Sequence, residues 1–242
     1  RTRPRYTAAL GQEMPQSLSN KLVRRAVDTP YEASPAAVIE DARLRLVDAL
    51  SCAVGGASVP GNLAMLDLVR SAGGSKQATI LSHGDKVPVD KAAMLNSLNC
   101  RAFDFEVTGP EAEGANAGKM VGHVCSTTEP TALAVGEFAK VTGKELLAAV
   151  ILGGDIGARM AVADEFDFDK CFEVCGTANA FGATALTARL MGASHAQLTN
   201  AFGILVNMIG GSYQSLWDGV DTFKLPGAMA AQNAVLSVQM AM

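Results

Sequence analysis

The chain has 242 residues, enough to bury one large core or two small ones, and its net charge of −4 gives no electrostatic footprint for nucleic acid or an anionic membrane. Hydrophobic residues make up 49% and charged residues only 18%, less charge than a protein's own surface normally needs, so part of that surface is expected to lie against another chain. The longest apolar run, Leu146 to Leu152, falls far short of the roughly 20 residues of a bilayer span, and the cysteines are scattered without a Cys-x-x-Cys pair, which points to a reduced, cytoplasmic setting.

The amino terminus, RTRPRYTAALGQ, is basic but has no apolar signal core. An amphipathic helix is predicted over Ser17 to Val27. Ser34-Pro35 then reads as an N-cap followed by Pro at the first helical position, with Val38, Ala42, Leu46, Leu50 and Ala53 on one face up to Gly55-Gly56. A further helix is expected from Asn62 to Ser71, a short β-like run over Gln77 to Leu81 ahead of a Gly84-Asp85 turn, and helical spacing again from Val89 to Phe103. Between Val107 and Val124 the pattern breaks into a Gly-rich loop that is long for a compact domain, and helix resumes near Thr128-Glu129-Pro130. Thr142-x-x-Glu145 is a capping box for a helix to about Ala163; Ser194-x-x-Gln197 caps another to about Ile209; a last helix begins near Gly227.

Between them lies CFEVCGTANAFGATALTARLMG, residues 171 to 192, whose apolar and small residues face every direction and whose one strongly polar side chain after Ala178 is Arg189. A helix apolar all round belongs inside something. The fold class expected is therefore all-α, a multi-helix bundle around this buried central helix, with residues 1 to 242 as one domain.

Three stretches are weighed and set aside. LLAAVILGGDIGA lacks G-x-G-x-x-G and falls within a capped helix, so Gly153 and Gly157 read as a close-packing face and Asp155 with Arg159 as an i, i+4 pair. The acidic run Asp164, Glu165, Asp167, Asp169 has no calcium-loop spacing and reads as a solvated connector. Cys171 and Cys175 are four apart without a nearby histidine, so no metal site is assigned. The chemistry gathers instead around the Gly-rich loop: Asp104 and Glu106 end one helix, His123 precedes the next, and Lys224 feeds the last. Three loop-to-helix junctions of this kind suit a small carboxylate.

NSLNCRAFDFE, the segment after His123, VCGTANAFGATALTARLMGAS and DGVDTFKLPGAMAAQNAV together resemble the MmgE/PrpD family, which includes 2-methylcitrate dehydratase, cis-aconitate decarboxylase and iminodisuccinate epimerase. The resemblance implies an all-helical domain, a homodimer, no cofactor, and a chain about twice this length in the family, so that this sequence is its first half without the α/β lid and returning helices. It also maps the family's catalytic Asp, His and Lys onto Asp104, His123 and Lys224, and places Arg101 and Glu173 where family histidines usually stand. Further departures are Glu106-Val107, Val124 and Pro226.

The function so implied is a cofactor-free lyase, a hydro-lyase ahead of a decarboxylase, acting on a small di- or tricarboxylate such as 2-methylcitrate or cis-aconitate. His123 would move the proton, Asp104 would serve as base or orienter, and Lys224 with Arg101 would hold carboxylates, with no metal. An epimerase using Glu173 and His123 as opposed acid and base is the first alternative. A non-catalytic helical subunit is the second.

Overall fold

The computed structural model describes residues 17–119, 121–164 and 172–242, and its described residues form ten α-helices and one two-stranded sheet. Helix α1 (Leu18–Asp28) is capped by Ser17, whose hydroxyl accepts the Asn20 amide at 3.2 Å. Helix α2 (Ala36–Gly56) begins one residue later than expected: Pro35 is itself the extended cap residue, and Ser34 instead closes the short turn at Tyr31. After α3 (Pro60–Ala72), strands β1 (Ala78–Thr79) and β2 (Lys86–Val87) pair antiparallel, with Ala78 opposite Val87.

Helix α4 (Val89–Cys100) stops short of Phe103, and α5 (Cys125–Ala139) starts before Thr128 and runs straight through Pro130. Proline removes the amide that would bond the Ser126 carbonyl, but the Ser97 hydroxyl of α4 donates to that carbonyl at 2.8 Å. Helix α6 (Gly143–Ala163) carries the expected capping box at Thr142 and Glu145; α7 (Ala178–Leu190) is the expected post; α8 (His195–Leu205) carries the second box at Ser194 and Gln197. Helix α8 ends before Ile209 because the Asn207 and Met208 amides turn back to carbonyls three residues earlier. A short α9 (Gln214–Trp217) precedes α10 (Leu225–Ala241), which begins two residues ahead of Gly227 with Pro226 in its first turn.

Helix α7 packs against α1, α5, α6, α8 and α10. It meets α6 at glycines: a Cβ on Gly182 would lie 2.4 Å from the Gly153 carbonyl oxygen, so only glycine permits this approach. Its one cation, Arg189, donates to the carbonyls of Ala26 and Val27 at 2.7 and 3.2 Å, closing the end of α1. Asp155 and Arg159 pair at 3.0 Å, and Arg25 of α1 joins them. Helix α4 is a second post: eleven of its twelve residues are buried, and Leu95 and Leu98 share one core with Val135, Val150, Leu186 and Val235. Each such fully buried aliphatic side chain contributes about 1.5–3 kcal/mol. By length and composition α6 is the one unbroken described helix able to cross a bilayer, and 50% of its apolar window is buried against the rest of the protein.

Candidate active site

The C-terminal end of α4 delivers Arg101 into the interior, where it is 4% exposed. Asp104 follows with φ +58°, a left-handed conformation that aspartate tolerates, and the chain doubles back so that its carboxylate meets Arg101. Past this bend both Asp104 and Glu106 reach the guanidinium, while Phe105 between them stands in solvent. Arg101 Nη1 lies 2.8 Å from Glu106 Oε1, and Glu106 is buried. The Phe223 ring covers the guanidinium, 5.6 Å from Arg101 Cζ to the ring centroid.

His123 arrives from the other side of the Gly-rich loop. Gly122, at φ +70°, makes the turn before it and accepts the Gly109 amide at 3.1 Å. The His123 carbonyl is then tied down by the Asn179 side-chain amide at 2.8 Å and the Ser126 hydroxyl at 2.9 Å. Its imidazole stands between two carboxylates, with Nε2 3.3 Å from Asp104 Oδ1 and Nδ1 3.3 Å from Glu106 Oε1. The ring is partly open to solvent, whereas Glu106 is closed off.

Burial, and after it the positive charge of Arg101, pushes the His123 pKa below the ordinary histidine value, outweighing Glu106 and Asp104. That shift favours the neutral form of the ring. Glu173 lies on the same arginine, Oε1 3.9 Å from Arg101 Nη2, and its other oxygen accepts the Gly176 amide at 3.1 Å. Burial raises its pKa, with Arg101 opposing, so this carboxyl holds its proton to higher pH than a free glutamate. The carboxylates touching the imidazole are Asp104 and Glu106; Glu173 reaches Arg101 instead.

The structure thus brings Arg101, Asp104, His123 and Glu173 into one cluster, with Glu106 as its fifth member. Lys224 stands apart. It is 3% exposed, its Nζ is 3.3 Å from Asp221 Oδ1, and its connection to the cluster is Phe223, the residue before it. Asp104, Glu106 and His123 each offer an atom within 4.8 Å of the others, a spacing that suits a divalent cation. Arg101 Nη1, however, already contacts both carboxylates, and the cation of this group is the guanidinium.

Sequence reading left out two members of this site. Asn179 lies in the helix read as apolar apart from Arg189, and its polarity in GTANAFG was the available signal. Phe223 sits beside Lys224 without any pattern that announces a ring over a distant arginine. A groove of about 1540 Å³ lies elsewhere, between α1, α2, α6 and the Gly-rich loop, and none of the five cluster residues lines it. Cys171 and the acidic run from Glu165 to Asp169 lie outside the described residues.

Residues 20–242 match the family model described as the MmgE/PrpD N-terminal domain. No curated protein matches the chain.

Proposed function

Since the chain belongs to the MmgE/PrpD family, whose members are largely enzymes with dehydratase or related activity, we propose that it contributes the proton-transfer site of a cofactor-free lyase acting on a small di- or tricarboxylate. The observation that carries the reading is the His123 imidazole, kept neutral and held between Asp104 and Glu106 at an edge that solvent reaches. In this reaction His123 accepts the proton from the carbon beside a substrate carboxylate, and that C–H electron pair becomes the new C=C bond. The C–O bond to the β-hydroxyl breaks as that double bond forms, its electron pair stays on the hydroxyl oxygen, and the hydroxyl leaves as water with the proton that His123 has taken up. Asp104, the more exposed of the two flanking carboxylates, orients the ring, and the cationic side chains Arg101 and Lys224 stabilise the carboxylates and the enolate-like charge. The favoured substrates are citrate-like acids, with 2-methylcitrate first and cis-aconitate decarboxylation second.

Epimerisation is the other reading that a specific observation favours. A neutral base at His123 and a proton-holding acid at Glu173 stand around the same arginine. Incubation with each acid in deuterated water separates the two: elimination gives the unsaturated product, while epimerisation gives solvent deuterium in a substrate of unchanged composition. For the lyase, His123→Ala lowers turnover by at least about a hundredfold; near-normal turnover removes His123 from the mechanism. If no acid is turned over, exchanged or able to raise the melting temperature, the non-catalytic subunit is the correct reading. The working form belonging to this proposal is a cytoplasmic homodimer, supported by the low charge content and by the apolar stripe that Leu44, Val47 and Val54 expose along α2.

A further inference from the structure

Lys224 is buried to 3% exposure, yet its Nζ has no hydrogen-bond partner among the described residues. Its one ion-pair contact among the described residues, Asp221 Oδ1 at 3.3 Å, lacks hydrogen-bond geometry, and the Asp221 side chain is 60% exposed. A buried ammonium left in this state is costly, and an exposed aspartate is a cheap group to move. The second element at this place is the start of α3. Val59 provides no side-chain cap, Pro60 has no amide, and the Asn62 and Leu63 amides both turn back to the Val59 carbonyl. That leaves the Gly61 amide without a backbone partner among the described residues, at the positive end of a 13-residue helix.

Gly61 and Lys224 face the same carboxylate. A Cβ built on Gly61 would lie 2.8 Å from Asp221 Oδ2 and 3.7 Å from Lys224 Nζ, so glycine at this position is what lets an anion sit between the helix end and the ammonium. We propose that Lys224 Nζ and the Gly61 end of α3 form a carboxylate subsite for the substrate, and that the Asp221 side chain is its internal competitor. A ligand carboxylate can bond Nζ with one oxygen and the Gly61 amide with the other, while Asp221 swings into water. The subsite is joined to the reacting cluster through Phe223, whose ring covers Arg101. Asp221 is then a specificity-determining residue: it sets how strongly an incoming acid must bind before Lys224 is released to it.

This inference rests on the carboxylate reading above, and its test reads binding rather than turnover. Citrate is titrated calorimetrically into the wild-type protein, Asp221→Asn, Lys224→Met and the double variant, with circular dichroism confirming the fold of each. Removing the competitor's charge is expected to tighten citrate by roughly tenfold, and the gain is expected to vanish when Lys224 is Met. Affinity unchanged or weakened in Asp221→Asn, no binding by either protein, or equal tightening in the Lys224→Met background overturns the subsite. If Lys224→Met does not fold, Asp221→Asn alone decides. Tighter citrate without elimination or deuterium exchange keeps the subsite and discards the chemistry; normal turnover with unaltered citrate affinity does the reverse.

Discussion

The side-chain amide of Asn179, in the buried helix α7, donates at 2.8 Å to the main-chain carbonyl of His123, and so the core helix positions the imidazole through its own backbone. Asn179 is fully buried, and the same carbonyl also accepts the Ser126 hydroxyl. Asn179→Ala removes the shortest of three bonds to this carbonyl, leaving the Ser126 hydroxyl and the longer Cys175 thiol contact at 3.9 Å, and is expected to cost about 1–2 kcal/mol in stability. As a positioning residue it should affect kcat more than KM, by about tenfold, because the ring must be held in its productive geometry. Steady-state kinetics beside a urea melt check this; a KM effect with unchanged kcat would show that Asn179 acts on binding instead.

Arg101 adds to burial in lowering the pKa of His123. Burial is the first cause of its lowered pKa and Arg101 the second, while Glu106 and Asp104 pull upward. Arg101→Met removes one lowering influence and leaves both raising ones, so the His123 pKa rises. A base works in its neutral form, and activity is lost as pH falls through that pKa; the acid limb of the rate profile therefore moves to higher pH. Arg101→Lys keeps the charge and should move it less, which also guards against the destabilisation expected when Glu106 loses its buried partner. Proton NMR titration of the His123 ring measures the shift directly, and a downward shift in the Met variant contradicts the assignment.

Where an element is set by neighbours in sequence, its residues announce it. Thr142 with Glu145 and Ser194 with Gln197 fix two helix starts through bonds spanning three residues, and the glycines of α6 mark the close crossing with α7. Long-range compensation is invisible at that level. Pro130 reads as a helix boundary because the Ser97 hydroxyl that replaces its missing bond comes from another helix. Helix α4 is not legible as a second post, since Asn96, Ser97 and Asn99 look wet; in the fold Asn96 bonds the Thr79 carbonyl at the end of β1 and the Leu81 amide in the turn that follows. In the site, the junctions that carry Asp104 and His123 do come together, whereas Lys224, expected beside them, lies against Asp221 instead. The distant contacts are not legible: His123 against Glu106, and the Phe223 ring over Arg101, are choices made by packing.

The α6–α7 crossing predicts a sharp difference between two glycines. A Cβ on Gly182 would meet the Gly153 carbonyl oxygen at 2.4 Å and the Gly157 amide nitrogen at 3.1 Å, and backbone on a packed helix cannot yield cheaply. Gly182→Ala should lose about 3 kcal/mol or more. Gly55, inside α2, has nothing within 4 Å of its added Cβ, so Gly55→Ala should be neutral or stabilise by up to about 1 kcal/mol through helix propensity. Urea denaturation of the pair is the check, and equal effects would contradict the close crossing.

Glu129 makes stability depend on pH in a direction opposite to that of a salt-bridged acid. Its carboxyl is 3% exposed beside the Thr128 hydroxyl, and burial pushes its pKa up from 4.5 to about 7, with Thr128 and Arg45 opposing. The folded protein therefore holds a proton that the unfolded chain gives up. Between about pH 4.5 and 7 the native state binds more protons than the unfolded one, and stability falls as pH rises through this window. A displacement of this size corresponds to a loss of about 3 kcal/mol by pH 8. Glu129→Gln keeps the shape and removes the charge, so it should match the wild type near pH 4.5 and exceed it in stability at pH 8. Unfolding free energies of the two proteins at both pH values test this, and a mutant less stable than wild type at pH 8 would mean that the carboxylate is compensated in the core.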